Sequence, residues 1–222
     1  MSDDQRAGGD GSITAEPTRV ERNRLLLVEG EFDVGFFRAL LSRHGRAGVQ
    51  VEALGGVAPY AKKVEALSNA PGFDQLHWLG LARDADNDAE AALASMRNAF
   101  SRIAERFPSN QPTRAWEMVS SDDGTRSVTL LIFPDGTHPG DLERLIWDAL
   151  SSEREANCVE TYVQCLRSVG CDLPREWKTR VFAYLSSRAR PDSFLSAATR
   201  AGELPTDSPV FRRLLDLLPA DD

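Results

Sequence analysis

The sequence has little that would tie it to a membrane, a disulfide scaffold or a zinc centre. No apolar run in its 222 residues approaches the ~20 residues that cross a bilayer, and residues 1–22 contain no apolar signal region. Three cysteines are too few for a disulfide framework, and no CxxC or His pair has metal-ligand spacing. These absences favour a reducing cytoplasm and no membrane contact. We expect Cys158, Cys165 and Cys171 to be small core residues.

Two further absences bear on function. No G-x-x-x-x-G-K-[ST] loop occurs, so an ATPase would have to be a separate protein. Positive charge is also in deficit: 26 Lys and Arg against 34 Asp and Glu give a net charge of −8, which opposes non-specific binding to phosphate backbones. Residues 174–200 are a local exception, with six basic and two acidic residues. A solvated helix face is one interpretation of this segment and a nucleic-acid-binding face the other. Its basic residues are Arg175, Lys178, Arg180, Arg188, Arg190 and Arg200.

Hydrophobic patterning predicts an α/β fold. Short apolar strands alternate with amphipathic helices up to about residue 150, which predicts a largely parallel sheet with helices on both faces. The predicted strands cover residues 25–28, 49–54, 76–82, 115–119 and 127–133. The last two flank a hairpin signal, so they form either an antiparallel edge pair or an edge strand beside the last central strand. A helix is predicted over residues 88–107, and the pattern is helical from residue 141 onward.

This pattern divides the chain into three parts. Residues 1–22 have no hydrophobic periodicity and are predicted to be a disordered tail. Residues 23–150 are predicted to form the α/β domain, and residues 151–222 an all-helical C-terminal extension packed on it.

Acidic residues follow two of the predicted strands. Glu29 comes directly after the first strand, and Asp84, Asp86 and Asp88 follow the third. In open α/β sheets, ligands bind outside the carboxyl ends of the strands, so these positions are candidates for chemistry. The alternative for the aspartates is a solvated turn in which Asp86 or Asp88 caps the next helix.

Glycines and one further acid accompany these positions. Gly30 permits a sharp strand-to-helix turn. Gly55 and Gly56 either let backbone amides approach an anion or form a simple tight turn. Glu143 lies in the first turn of a predicted helix, where it either stabilises the helix dipole or reaches back to the same edge as Glu29.

The two acidic stretches together resemble a known domain. Val28-Glu29-Gly30-Glu31-Phe32-Asp33, followed by Asp84-Ala85-Asp86, resembles the toprim domain of topoisomerases, primases and overcoming-lysogenization-defect nucleases. Gly55-Gly56 and Pro139-Gly140-Asp141-Leu142-Glu143 fit the small stand-alone toprim-like proteins. The resemblance covers about residues 23–150. It implies a Rossmann-like toprim sheet and Mg²⁺-dependent phosphodiester chemistry, with Glu29 as general acid or base and Asp84 and Asp86 as metal ligands.

The donor set fits that chemistry. Carboxylate oxygens without a Cys or His cluster select Mg²⁺ or Mn²⁺ over zinc, and two such ions about 4 Å apart stabilise both oxygens of a phosphoryl displacement. In this hypothesis Glu29 bridges the ions or accepts the proton of the attacking water, and Asp33 orients a ligand. Asp88 is assigned to the second ion, and Glu143 is a third carboxylate of the site. Lys178 is assigned to stabilise the charge that develops on the phosphate.

Three functions fit the sequence. The first is a metal-dependent nuclease (a hydrolase) acting on nucleic acid, with DNA as the first candidate and a separate ATPase as a partner. The second is a non-catalytic interaction or regulatory subunit with the same fold. The third, a phosphoacceptor receiver domain, fits poorly, because one acid follows the first strand and no lysine follows the last. Homo-oligomerisation is left open.

Overall fold

The computed structural model describes residues 19–55, 60–188 and 194–221. Within these ranges it contains five strands, eight α-helices and one short 3₁₀-helix. The strands are β1 (Arg24–Val28), β2 (Gln50–Ala53), β3 (Trp78–Asp84), β4 (Glu117–Ser120) and β5 (Ser127–Phe133). The α-helices are α1 (Glu31–Arg43), α2 (Tyr60–Ser68), α3 (Ala89–Ser101), α4 (Leu142–Leu150), α5 (Ala156–Ser168), α6 (Glu176–Ser186), α7 (Leu195–Ala201) and α8 (Pro209–Leu215).

The strands form one sheet in the order β2-β1-β3-β5-β4. Strands β2, β1, β3 and β5 are parallel, and β4 pairs antiparallel with β5 at the edge. The sheet is therefore largely parallel, as predicted. Both descriptions of the last two strands apply, because β5 is the last central strand and also one half of an antiparallel edge pair.

Helices cover both faces of the sheet, which confirms the predicted architecture. The strand side chains alternate between two hydrophobic cores, as the period of two in a strand requires. Leu26 and Val28 of β1 enter the core that α1 and helices α4 to α8 cover, whereas Leu25 and Leu27 enter the core under α2 and α3. The C-terminal helices thus share the core on the α1 side of the sheet.

The structure describes only the last four residues of the predicted tail, residues 19–22. Residues 1–18 of the predicted tail lie outside the described residues, whereas Val20 is 4% exposed and packs in the core under α2 and α3. The boundary predicted at residue 150 stays a prediction.

Of the helices that the structure describes, none combines the length and the apolar content needed to cross a membrane.

Two predictions about helices were wrong. The helix predicted over residues 88–107 ends at Ser101, because the chain then turns so that Phe107 can pack edge-on against Phe73 and Phe100. The three cysteines are exposed, not core residues. Helix α5 buries Ala156, Val159 and Val163, a stripe that leaves Cys158 and Cys165 on another side.

Candidate active site

Two carboxylates meet at one edge of the sheet because their strands are parallel neighbours. Glu29 is the residue after β1, and Asp84 is the last residue of β3. The register that pairs Leu27 with Leu81 brings both strand ends to the same edge. The sequence prediction that these acids lie together at the carboxyl ends of the strands therefore agrees with the topology.

Asp84 lies at the centre of a larger acidic group. Its Oδ1 accepts a hydrogen bond of 3.0 Å from the backbone N–H of Leu142, in the first turn of α4. Burial and four neighbouring carboxylates together raise the pKa of Asp84 to about 8. Burial has the largest effect, followed in decreasing order by Glu29, Asp33, Asp141 and Glu143. The protein surroundings at this edge therefore oppose the ionisation of Asp84.

Asp33 belongs to this group through the start of α1. Its Oδ2 accepts a hydrogen bond of 3.0 Å from the backbone N–H of Gly30, the N-cap residue of α1. Burial raises the pKa of Asp33, the Gly30 hydrogen bond lowers it, Glu143 raises it and Lys178 lowers it. Gly30 thus supplies the turn that was predicted and also fixes the Asp33 carboxylate.

Arg83 is a site residue to which the sequence analysis gave no role. Its Nε lies 3.3 Å from Glu29 Oε1, and its guanidinium carbon lies 5.5 Å from the centroid of the Tyr60 ring. Burial raises the pKa of Glu29, and the Arg83 charge lowers it in part. Strand alternation could have found this pair. Glu29 follows Leu25 and Leu27 on one side of its strand, Arg83 follows Leu79 and Leu81 on the same side of the neighbouring strand, and these four leucines face one core.

Asp86 and Asp88 have different surroundings. Asp86 adopts a φ of +50° and exchanges two backbone hydrogen bonds of 2.9 and 2.8 Å with Gly140, which ties the loop after β3 to the loop before α4. Asp88 is the N-cap of α3, with Oδ1 accepting from the Ala91 N–H at 2.9 Å. Asp88 therefore caps a helix, as one alternative predicted, whereas the charge of Asp86 acts on Glu29 and raises its pKa.

The two glycines predicted to bind an anion are not both described. Gly55 has a φ of +52°, and its N–H donates to the carbonyl of Glu29 at 3.2 Å. This N–H therefore already makes a backbone hydrogen bond and does not point to an anion. Gly56 lies outside the described residues.

Glu143 and Lys178 connect the acidic edge to the C-terminal helices. Lys178 Nζ lies 3.1 Å from Glu143 Oε1, and it also lies 5.6 Å from the centroid of the Phe32 ring. The structure thus brings Glu143 to the edge that holds Asp84, and α6 supplies the cation that neutralises it.

A cavity of about 630 Å³ opens between this edge and the start of α6. One side, which we name the acidic wall, consists of Asp84, Asp86, Asp141 and Glu143. The opposite side, which we name the helical wall, consists of residues 173–178. Asp88 does not line this cavity, and Arg144 does.

Two other basic residues of the positively charged segment, Arg180 and Arg188, bind acids nearby. Arg180 is 5% exposed and binds Glu160 through Nε at 2.8 Å and Glu176 through Nη1. Arg188 binds Glu155 at 3.2 Å. Arg190 lies outside the described residues. These contacts show that Arg180 and Arg188 pair with carboxylates of the C-terminal helices, in agreement with an ordinary helix surface.

The acidic wall fits a divalent cation in part. Its donors are carboxylate oxygens, the ligands that Mg²⁺ and Mn²⁺ prefer, and a cation would relieve the repulsion that raises the pKa of Asp84. In the part of the chain that the structure describes, however, no three His, Cys, Asp or Glu side chains are arranged as a metal-binding group. The charge and donor type fit, whereas a full ligand set requires side-chain movement.

Comparisons with known proteins identify a family. No curated protein matches the chain. A structure of the C-terminal region of the Xanthomonas campestris pv. campestris OLD protein, phased with iodine, is 13% identical, covers 89% of this chain and 94% of its own, and has a TM-score of 0.44. The platinum-phased structure of that region is 11% identical, covers 88% and 95%, and has a TM-score of 0.32. Similarity this weak carries no functional argument, and the toprim resemblance stays a prediction. The family model described as "Protein of unknown function (DUF3226)" matches residues 23–220, and the chain belongs to that family.

Proposed function

We propose that the protein is a Mg²⁺-dependent nuclease of toprim type that hydrolyses phosphodiester bonds at the acidic wall. The observation that carries the proposal is the convergence of carboxylates on Asp84, whose pKa burial raises to about 8 with the help of four acidic neighbours. A group of carboxyls that oppose one another's ionisation is a feature of sites that bind a cation. The sequence resemblance to toprim domains supports the same chemistry.

Each residue of the site has a proposed role. Asp84 and Asp86 would hold the cation, which supplies Lewis-acid stabilisation of the phosphate oxygens when bound. Glu29 accepts the proton of the attacking water; burial raises its pKa, which brings the base closer to neutral pH. Asp33, fixed by the Gly30 N–H, orients the site.

Glu143 and Lys178 complete this proposal. Glu143 would become a further ligand when its ion pair with Lys178 opens, and Lys178 would then be free to bind the phosphate. The nucleic acid is the proposed partner, together with a separate ATPase. Asp88 is left as a helix cap, because its Oδ1 already accepts the Ala91 N–H.

The proposal is tested by calorimetric Mg²⁺ titration and by cleavage assays on single-stranded DNA, duplex DNA and RNA. Wild type is compared with the Asp84→Asn/Asp86→Asn double variant and with Asp207→Asn, which removes one exposed carboxylate away from the cavity. We expect Mg²⁺ binding and cleavage in wild type and Asp207→Asn, and loss of both in the double variant. Cleavage that persists in a folded double variant would place the chemistry elsewhere.

One observation favours a second candidate, a non-catalytic interaction subunit. Two ion pairs, Arg83 with Glu29 and Lys178 with Glu143, already neutralise part of the acidic edge without a metal. A subunit of this kind would cleave no nucleic acid in the assays above at any Mg²⁺ concentration, whether or not it binds the ion. Mg²⁺-dependent cleavage by wild type that is lost in the double variant would exclude this candidate.

A further inference from the structure

Arg144 is held in a fixed position in the cavity. It lies in the first turn of α4, and its Nη1 donates to the carbonyl of Pro139. Its guanidinium carbon lies 5.3 Å from the centroid of the Trp177 ring, on the helical wall. Gly140 allows this placement, because a Cβ at that residue would lie 2.8 Å from Arg144 Cδ. The loop before α4 and the helical wall therefore fix the guanidinium together.

The donors of Arg144 are largely unused. Among the described residues, Nη1 alone of the guanidinium nitrogens makes a hydrogen bond, and Nε is buried without a partner. No carboxylate forms an ion pair with Arg144 in the described ranges; its electrostatic influence reaches Asp148, whose pKa is raised by burial and lowered in part by Arg144. Among the described residues Nη2 makes no hydrogen bond, so it can donate to a ligand that enters the cavity.

Arg175 adds a second cation to the same cavity. It is exposed at the N-cap of α6, lines the cavity and makes no ion pair within the described residues. Lys178 differs from both arginines, because it is bound to Glu143. The cavity is thus lined by the four carboxylates of the acidic wall and by two guanidinium groups that form no ion pair within the described residues.

The geometry points to Arg144 and Arg175 as the binding site for one phosphate group of the nucleic acid. A guanidinium presents a planar fork of donors that matches phosphate oxygens, and a pre-positioned guanidinium loses little freedom when it binds. The phosphate would lie between the arginines and the acidic wall, where the bond to be hydrolysed must reach the carboxylates. This role rests on the proposed function for the identity of the ligand, whereas the binding itself can be measured without cleavage.

Binding is measured by calorimetry in wild type and in every variant, and Trp177 supplies a second signal in wild type. Because the Arg144 guanidinium lies over the Trp177 ring, a phosphate that binds Arg144 should change the tryptophan fluorescence. The probe is a thymidine dinucleotide, which carries one phosphodiester, titrated in EDTA and again in Mg²⁺. We expect at least about tenfold weaker binding in Arg144→Met and Arg175→Met, since a charge-assisted hydrogen bond is lost in each. Arg144→Lys should bind with intermediate affinity.

Arg213→Met is the matched control. Arg213 lies 5.0 Å from the centroid of Trp116, so the variant removes the same charge and the same kind of arginine–tryptophan contact away from the cavity. It should bind the dinucleotide as wild type does. Thermal unfolding of each variant checks that the fold is retained.

The outcomes separate this inference from the proposed function. Binding in EDTA that Arg144→Met weakens supports the phosphate site even if Mg²⁺ titration and cleavage assays are negative. Binding that needs Mg²⁺ and is equal in wild type, Arg144→Met and Arg175→Met would overturn the inference while leaving the metal site intact. The absence of any binding to wild type in both conditions would also overturn it.

Discussion

The two walls of the cavity differ in charge and in what holds them in place. Backbone N–H groups fix the acidic wall: Leu142 donates to Asp84, and Arg144 donates to Asp141. The helical wall has no comparable support among the described residues, and its helix α6 is joined to α5 by the buried side chain of Arg180. A wall fixed by backbone geometry is expected to withstand side-chain substitutions, whereas a wall fixed by ion pairs is expected to be sensitive to them.

The largest effect is expected from Arg180→Met. Arg180 binds Glu160 and Glu176, and the variant leaves both carboxylates without their buried partner. Because both glutamates keep some solvent contact, we expect a loss of about 2–4 kcal/mol in unfolding free energy. Chemical denaturation followed by circular dichroism measures it.

Arg167→Met is the control for that variant. Arg167 binds the same Glu176, but its side chain is 56% exposed. A loss of less than about 1 kcal/mol is expected for such a surface pair. Equal losses in the two variants would contradict the view that one buried arginine stabilises the helical wall.

Gly140→Ala should have the next largest effect, and it tests the junction between the walls. Gly140 has a φ of +141°, and a Cβ would lie 2.8 Å from Arg144 Cδ and 3.2 Å from Pro134 Cδ. We expect a loss of about 1–3 kcal/mol in unfolding free energy. Gly170→Ala isolates the contact, since Gly170 also has a positive φ of +81° but nothing within 4 Å of its Cβ. Equal losses of unfolding free energy in the two variants would show that the contacts with Arg144 and Pro134 do not matter.

Asp84→Asn tests the acidic wall through the pH dependence of stability. The ordinary pKa of this carboxyl is 3.8, and burial among other carboxylates raises the pKa to about 8 in the folded protein. Its contribution to stability is therefore fully present below about pH 4 and is lost as the pH rises toward 8. Relative to wild type, Asp84→Asn should gain on the order of 1 kcal/mol per pH unit between pH 5 and 8.

Thermal and denaturant unfolding at several pH values measure this gain. The Asn side chain keeps an acceptor for the Leu142 N–H, so the hydrogen bond is preserved. Asp207→Asn should keep a constant offset from wild type across the same range. A constant offset for Asp84→Asn as well would show that Asp84 is ionised in the folded protein at neutral pH.

Lys178→Met should have the smallest effect on stability. It breaks the pair with Glu143, whose partners are 35% and 16% exposed, so we expect a loss of less than about 1 kcal/mol. Mg²⁺ affinity should rise a few-fold, because the positive charge beside Glu143 of the acidic wall is removed. Lys62→Met, on the exposed side of α2, should leave the affinity unchanged. Weaker Mg²⁺ binding in Lys178→Met would contradict the competition between the lysine and the metal.

The meeting of Glu29 and Asp84 at one edge of the sheet could be predicted from sequence, and the helical wall could not. Glu29 and Asp84 end apolar runs, and parallel strands bring such ends to one edge, so local pattern was sufficient. The pairing of Arg83 with Glu29 was within reach, because strand alternation fixes the face of each. The contact of Lys178 with Glu143 depends on how α6 packs on α4, and no periodicity encodes that packing.

The errors have the same origin. Apolar spacing suggested that Cys158 and Cys165 belong to the core, but α5 packs through the stripe of Ala156, Val159 and Val163 instead. Residue type and spacing show that a helix is amphipathic. Which of its sides is buried depends on the neighbouring helix. The predictions that failed are those that required this tertiary information.

The central claim is that the acidic wall binds a divalent cation, and Mn²⁺ titration followed by electron paramagnetic resonance tests it most directly. The sharp spectrum of free Mn²⁺ broadens on binding, so the free fraction is read at each step. At pH 8 we expect wild type and Asp207→Asn to bind Mn²⁺, and Asp84→Asn to bind at least about tenfold more weakly, through loss of a charged ligand. Equal binding in all three proteins, or none in wild type, would contradict the account.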